Sequence, residues 1–264
     1  MSAPLTQHQI EIERNLRAWK SKPLLQEIYR GFYRQILELI DTAIPGNIVE
    51  LGSGIGNLKA HLPQVITTDL FPNPWLDMVC DAYKLPFPDG SLSHLVLFDV
   101  FHHLRAPNAF LREARRALVP SGRVILFEPY MSWSSMPVYG LLHHEPVAWR
   151  TPIEQTDSPP ANDYYAAQGN ATRLFFKKEI PGWPEKWDIF HAKAFSCFHY
   201  LLSGGYSKAA FYPSACLEIL RKVDNKLSKF PKLFAGRCLI GLTPLPKITT
   251  SHLTSTVPQR SAQH

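Results

Sequence analysis

Ile48-Val49-Glu50-Leu51-Gly52-Ser53-Gly54-Ile55-Gly56-Asn57 decides how this chain is read. The first four residues form a short apolar run that suits a buried strand, and the glycines close it. A strand running into G-x-G-x-G and then a helix leaves bare backbone at the carboxyl edge of a sheet, where open α/β folds bind ligands. Glycine suits these positions because a side chain would block close approach of a ligand or forbid a positive φ. A dinucleotide fingerprint, G-x-G-x-x-G, would need glycine at 57 and does not include an acid two residues before its first glycine. This chain has Asn57 and Glu50 there.

Working outward, the same texture recurs. Val65–Asp69, Leu76–Cys80, His94–Asp99 and Arg123–Glu128 read as four more strands, and Asn108–Leu118 as a helix ended by Pro120 and Gly122. Strands apolar throughout and alternating with helices predict a mainly parallel sheet covered on both faces. Upstream, Leu25, Ile28, Tyr29, Phe32, Ile36, Leu39 and Ile40 recur at helical spacing, with Ser21 as the expected cap and Pro23 in the first turn. Downstream, residues 131–160 are irregular and 161–180 helical around Gly169. Trp187–Lys193 reads as a sixth strand and Cys238–Leu242 as the last. Between them Ser214 should cap a helix to Phe230, with Leu217, Leu220, Val223 and Leu227 inside. The expected organisation is a helical cap over 1–45, one ligand-binding domain over 46–246 with an acceptor-side insertion at 131–185, and a flexible tail over 247–264.

Composition sets outer bounds. With 264 residues and 45% hydrophobic content the chain supports one α/β domain with additions. The four cysteines are scattered without a C-x-x-C pair, which argues against a zinc site or a disulfide framework and fits a reducing compartment. The first residues lack the apolar core of a signal peptide, and no apolar run of about 18 residues occurs, so a cytoplasmic protein without a spanning helix is expected. Net charge is +6. Arg221, Lys222, Lys226, Lys229, Lys232 and Arg237 form a basic stretch, read first as a solvated face and second as an attraction to anionic lipid or a phosphorylated substrate. These bases are not interleaved with exposed aromatics, so nucleic acid is not an expected partner.

Three acids mark successive strand ends. Glu50 precedes the glycine loop, Asp69 closes the second strand thirteen residues beyond Gly56, and Asp81-Ala82 follows the third. A carboxylate at 69 can accept hydrogen bonds from both ribose hydroxyls of an adenosine. Asp81 can accept from the adenine amino group while the Ala82 amide donates to a ring nitrogen.

The ordered set VELGSGIGN (49–57), Asp69, CDAYKLPFPDGSL (80–92), FDVFHHL (98–104), REARRALVPSGR (112–123) and ILFEP (125–129) resembles the class I S-adenosylmethionine-dependent methyltransferases of the small-molecule methyltransferase type 11 group. The likeness covers roughly residues 46–130. It implies a Rossmann-like, mostly parallel seven-stranded sheet with helices on both faces, an N-terminal helical lid and an insertion after the fifth strand. It also implies S-adenosylmethionine as cofactor, with Glu50, Gly52, Gly54, Asp69, Asp81 and Ala82 lining it and Phe98-Asp99 near its sulfonium end. Two departures stand out. Ser93 occupies a position usually acidic, and Asp99-Val100-Phe101-His102 stands where amino methyltransferases of nucleic acids and proteins carry [DNS]-P-P-[YF]. Outside residues 46–130, KPLLQEIYRGFY (22–33), HHEP (143–146), LFFKKEIPGW (174–183) and LSGGYS (202–207) are similar to a looser bacterial subgroup.

The expected reaction is methyl transfer to a small acceptor: a metabolite, a sugar derivative or a lipid-linked intermediate. A hydroxyl acceptor would need a base, and histidine suits that near neutral pH. His102 and His103 follow the fourth strand, and His143, His144 and Glu145 lie in the insertion; His103, His144 and Glu145 are the catalytic candidates, and no metal is expected. Trp133, Tyr139, Trp149, Tyr164, Tyr165, Trp183 and Trp187 are expected to build an apolar acceptor pocket. Two other readings are a non-catalytic metabolite-binding module on the same fold and a nicotinamide-dependent oxidoreductase.

Overall fold

Val96, Ile125 and Phe127 point to one side of the central strands, and Leu95, Leu97, Val124 and Leu126 to the other. All seven are buried, so two apolar faces need cover, and that requirement sets the architecture. The computed structural model describes residues 7–142, 146–158 and 165–246. Helices α1 (Gln7–Ser21) and α2 (Pro23–Leu37) precede β1 (Asn47–Leu51), β2 (Ile66–Asp69), β3 (Met78–Val79) and β4 (Leu92–Phe98). Helix α3 (Pro107–Ala117), β5 (Leu118–Pro129), β6 (Trp187–Ser196), α4 (Leu217–Leu227) and β7 (Ala235–Pro244) follow. The sheet order is β3-β2-β1-β4-β5-β7-β6. The first five strands pair in parallel, and β7 runs antiparallel between β5 and β6.

Helix α2 covers the first face. Leu25, Ile28, Phe32 and Ile36 recur at helical spacing and pack with Val96, Ile125 and Phe127. Helix α3 covers the second with Phe110, Leu111, Ala114 and Ala117. Both faces are therefore closed, as the apolar strands require. Among the described residues no helix is long and apolar enough to cross a membrane.

Several expectations are corrected. No full helix follows the glycine loop; Asn57–Ala60 is a single tight turn. Pro63 lies three residues on, and α2 already occupies that sheet face, packed on Leu58 and Leu62. Ser21 does not cap α2, since its hydroxyl donates back to the Ala18 carbonyl at 3.4 Å, and α2 begins at Pro23 with no side-chain cap. Residues 172–176 form only one wide helical turn. Ser214 makes no cap bond, and Val223 is exposed rather than inside.

Leu217 is buried as expected, and the other buried residue on α4 is Asp224. Its Oδ1 accepts from the Ser196 hydroxyl and the Phe198 amide, and its Oδ2 accepts from the His199 amide at 2.9 Å and His199 Nδ1 at 2.5 Å. Burial alone would push this carboxyl up; the hydrogen bonds from His199 and Ser196 outweigh it and hold the carboxyl below its usual range. Four donors thus tie α4 to the end of β6. Asp224→Ala should lower the unfolding free energy by about 3 kcal/mol, because it strands those donors in the interior. Denaturant titration of the two proteins at neutral pH checks this, and a loss below about 1 kcal/mol would show the network to be dispensable.

Candidate functional site

The strand order reverses between β1 and β4, which leaves a crevice above their carboxyl ends. A cleft of about 440 Å³ opens there. Its floor is the glycine loop, Glu50, Phe98 and Asp99; one wall comes from Glu11, Arg14 and Asn15 of α1 with Tyr29 and Tyr33 of α2; the other comes from residues 200–211. The N-terminal helices therefore form the expected lid. Lys22 donates from Nζ to the Gly205 and Lys208 carbonyls, which ties α2 to the loop across the cleft.

The loop backbone depends on its glycines at two positions. Gly52 has φ +68°, and an added Cβ would lie 2.4 Å from a Val100 methyl. Gly54 has φ +52°, with space above it that a Cβ would enter at 4.0 Å from Ile12. Its amide donates to Asp69 Oδ2 at 3.1 Å. Asp69 thus sits at the end of β2 bonded to the loop, just outside the cleft wall. Asp81 and Ala82 also lie outside that wall. Asp81 accepts from the Tyr83 amide at 2.8 Å, and Ala82 packs half-buried on the core.

Glu50 is the unusual group. It is buried, lines the cleft, and its Oε2 has no hydrogen-bond partner. Burial pushes its carboxyl up to about 8, against a hydrogen bond from Ser53 and with help from the Asp69 charge.

Asp99 directly follows β4 in the left-handed region, φ 58°, and ion-pairs with Arg237 of β7. Burial leaves its carboxyl above the usual range even with Arg237 alongside. Arg237 is therefore no part of a basic surface. It is buried in the cleft lining and lies over the Tyr200 ring at 4.9 Å.

The two adjacent histidines separate in role. His102 is buried, with Nδ1 2.6 Å from Glu128 Oε2 and Nε2 3.3 Å from the Gln168 amide nitrogen. Both ring nitrogens are thus engaged, which suits a structural histidine. His103 is half-buried in the cleft lining and donates from Nδ1 to the Tyr165 carbonyl at 2.9 Å. With Nδ1 as donor, Nε2 is the basic nitrogen of the neutral ring. Asp99, His102 and Glu128 hold ligand-type atoms within 4.8 Å of one another. Asp99 is paired with Arg237, and Glu128 accepts from the Val100 and Phe101 amides and pairs with His102. His144 and Glu145, with His143, lie outside the described residues.

The expected aromatic pocket is corrected. Of the rings named for it, Tyr139 lines the cleft. Trp133 is exposed, Trp183 and Trp187 face a separate groove beside α3, and Trp149 packs under Lys177. Tyr165 stacks under Arg105, and Tyr164 lies outside the described residues. The wall is instead built by Tyr29, Tyr33, Tyr200 and Tyr206, with Tyr29 stacked on Phe98 of the floor. Tyr29 carried a signal as a member of the α2 stripe. Arg237 and Glu128 carried none as site residues, because their partners are remote in sequence.

The sequence profile of the family described as "Methyltransferase domain" matches residues 49–126. No curated protein matches the chain. Among solved structures, one similar fold is a possible histamine N-methyltransferase from Thermotoga maritima, at 15% identity and TM-score 0.50 over 88% of this chain and 98% of that one. Another is geranyl diphosphate methyltransferase in complex with S-adenosylmethionine, at 14% identity and TM-score 0.51 over 84% and 89%. At these identities the likeness is one of fold.

Glu50 supplies a prediction. A carboxyl raised to about 8 when folded, against 4.5 when free, favours the folded state below pH 4.5, and that contribution is lost as pH rises to about 8. Glu50→Gln removes the dependence. The melting temperature of the variant relative to wild type should therefore climb across that window and level off above it. A constant difference from pH 4.5 to 8 would mean that Glu50 is already ionised in the folded protein.

Proposed function

We propose that this chain is an S-adenosylmethionine-dependent methyltransferase of the type 11 group, a reading supported by the profile match over residues 49–126, and that it methylates a small-molecule acceptor held in the tyrosine-walled cleft. One observation carries this reading. A glycine loop with an unpartnered, buried Glu50 carboxyl opens into a cleft of about 440 Å³ at the switch point of the sheet.

Glu50, Gly52, Gly54 and Asp99 line the cleft and fit the cofactor in chemistry, with Asp69 bonded to the loop beside them. Glu50 would meet its amino-acid ammonium, Gly52 and Gly54 would let its chain lie against backbone, and Asp69 would accept from the ribose hydroxyls. Asp81 and the Ala82 amide would hold the adenine, and Phe98-Asp99 would lie near the sulfonium. When bound, S-adenosylmethionine supplies the methyl group and a good leaving group. What the protein must add is alignment of the acceptor and exclusion of water; alignment of this kind is worth roughly 7–11 kcal/mol. The α1–α2 lid and the 200–211 loop serve both ends by enclosing the cleft. For a hydroxyl acceptor His103 Nε2 would take the proton as the new carbon–oxygen bond forms, worth on the order of 10²–10⁴ in rate. His144 and Glu145 are the other candidates for that role. The proposal keeps the enzyme cytoplasmic and metal-free.

Calorimetric titration with S-adenosylmethionine and S-adenosylhomocysteine is the test. Wild type should bind both in the micromolar range, and Asp69→Ala should weaken binding by at least about tenfold through lost ribose hydrogen bonds. With a hydroxyl acceptor in hand, His103→Ala should lower kcat on the order of 10²–10⁴ while cofactor binding holds. Absence of binding by folded wild type would sink the assignment.

A further inference from the structure

The exposed face of α4 and the turn after it carry a feature the methyltransferase reading does not use. Leu217 and Asp224 face inward. Ile219, Lys222, Val223 and Lys226 follow the i, i+3, i+4, i+7 spacing of one helix face, turned away from that inner pair. Ile219 is 63% exposed. The face continues into the next turn, where Phe230 and Leu233 are exposed at 59% and 45%. Trp133, 80% exposed, joins them from another part of the chain, since its amide donates to the Lys232 carbonyl at 3.1 Å and Ser134 to that of Leu233. Lys222, Lys226, Lys229 and Lys232 are exposed along the same ridge.

We propose that this ridge docks the protein on an anionic lipid surface. The charge is one-sided. Between Leu217 and Phe234 the acids are Glu218, held by Arg221, and the buried Asp224, against five bases. Contrary to the sequence expectation of a basic stretch without exposed aromatics, Phe230 and Trp133 stand among these lysines. Rings and aliphatic side chains interleaved with lysine on one exposed face match the interfacial binding of amphipathic helices, which bury the rings at the acyl boundary and leave ammonium groups among lipid phosphates. A protein partner fits less well, because lysine is depleted from protein–protein interface cores. Tryptophan is favoured at the headgroup level, where one part of the ring is apolar and the N–H is wet.

The ridge also lies at the working edge of the sheet. Trp133 is four residues past Pro129 and Leu233 four before Arg237, and both Pro129 and Arg237 line the cleft. Docking would bring the cleft edge near the headgroups, with no helix of the described residues long and apolar enough to cross the bilayer. The proposal does not depend on the identity of the methyl acceptor.

Sedimentation of the full chain with phosphatidylglycerol vesicles, and with phosphatidylcholine vesicles as control, is the test. Binding to the anionic vesicles should be strong at low salt and fall as salt rises. Lys226→Glu with Lys229→Glu and Lys232→Glu should weaken it on the order of a hundredfold, at roughly fivefold or more per lysine lost. In the full chain, brominated phosphatidylglycerol should quench part of the tryptophan emission, and Trp133→Phe should remove that part; both variants touch exposed positions, and near-ultraviolet circular dichroism reports whether they fold. No sedimentation of wild type with phosphatidylglycerol would overturn the proposal. So would binding unaffected by the triple charge reversal, quenching unaffected by Trp133→Phe, or capture of the chain by an acidic protein with no affinity for vesicles.

Discussion

Glu128 is a carboxylate with no access to water, and the working edge of the sheet is organised around keeping it satisfied. Its Oε1 accepts the Val100 and Phe101 amides at 2.9 and 2.7 Å, and its Oε2 pairs with His102. An unpaired charge at that depth would cost several kcal/mol, so the loop after β4 has little freedom. Val100 is thereby set against Gly52, where a Cβ would not fit, and Asp99 is held left-handed with its carboxyl toward Arg237. A single buried acid on β5 thus fixes the glycine loop on one side and the cleft floor on the other.

The aromatic wall solves a second problem. Arg237 is buried with one carboxylate partner, and a guanidinium so placed needs more than one ion pair. Tyr200 and Phe127 present ring faces to it at 4.9 and 5.9 Å, and Tyr139 donates to the neighbouring Gly236 carbonyl. Tyr29 in turn packs on Phe98, Tyr200 and Tyr206. The wall is therefore one continuous stack running from the lid helix to the β7 cation. Movement of α2 would be felt at Arg237.

Much of this was legible in the sequence because it rests on local pattern. Apolar runs located β1, β2, β4 and β5, the α2 stripe is a 3.6-residue period, and the glycine loop announces itself through residues in contact along the chain. The misread features depend on partners far away in sequence. Arg237 looked like the end of a lysine-rich surface because its neighbours Lys229 and Lys232 are exposed; only the pairing of β7 with β5 turns it toward Asp99, 138 residues earlier. Val223 fitted an apolar stripe, yet four hydrogen bonds turn Asp224 inward in its place. Trp133 was assigned to the pocket on ring count alone, although chain position says nothing of which way a loop residue faces.

The two cleft acids illustrate how placement divides like residues. Asp99 has a permanent cation beside it and Glu50 has none, although both lie at the ends of neighbouring strands over the same crevice. Ionising Glu50 is opposed by burial and by the charge of Asp69, and no guanidinium repays it. A cation brought beside its Oε2 would supply the missing partner and drive off the proton, so that charge is created in the cleft only together with its counter-charge. The site can therefore hold a carboxyl in the interior at modest cost to folding and still present a full negative charge to a cationic ligand. An arginine-paired acid at position 50 would have been more comfortable in the folded protein and of less use to such a ligand.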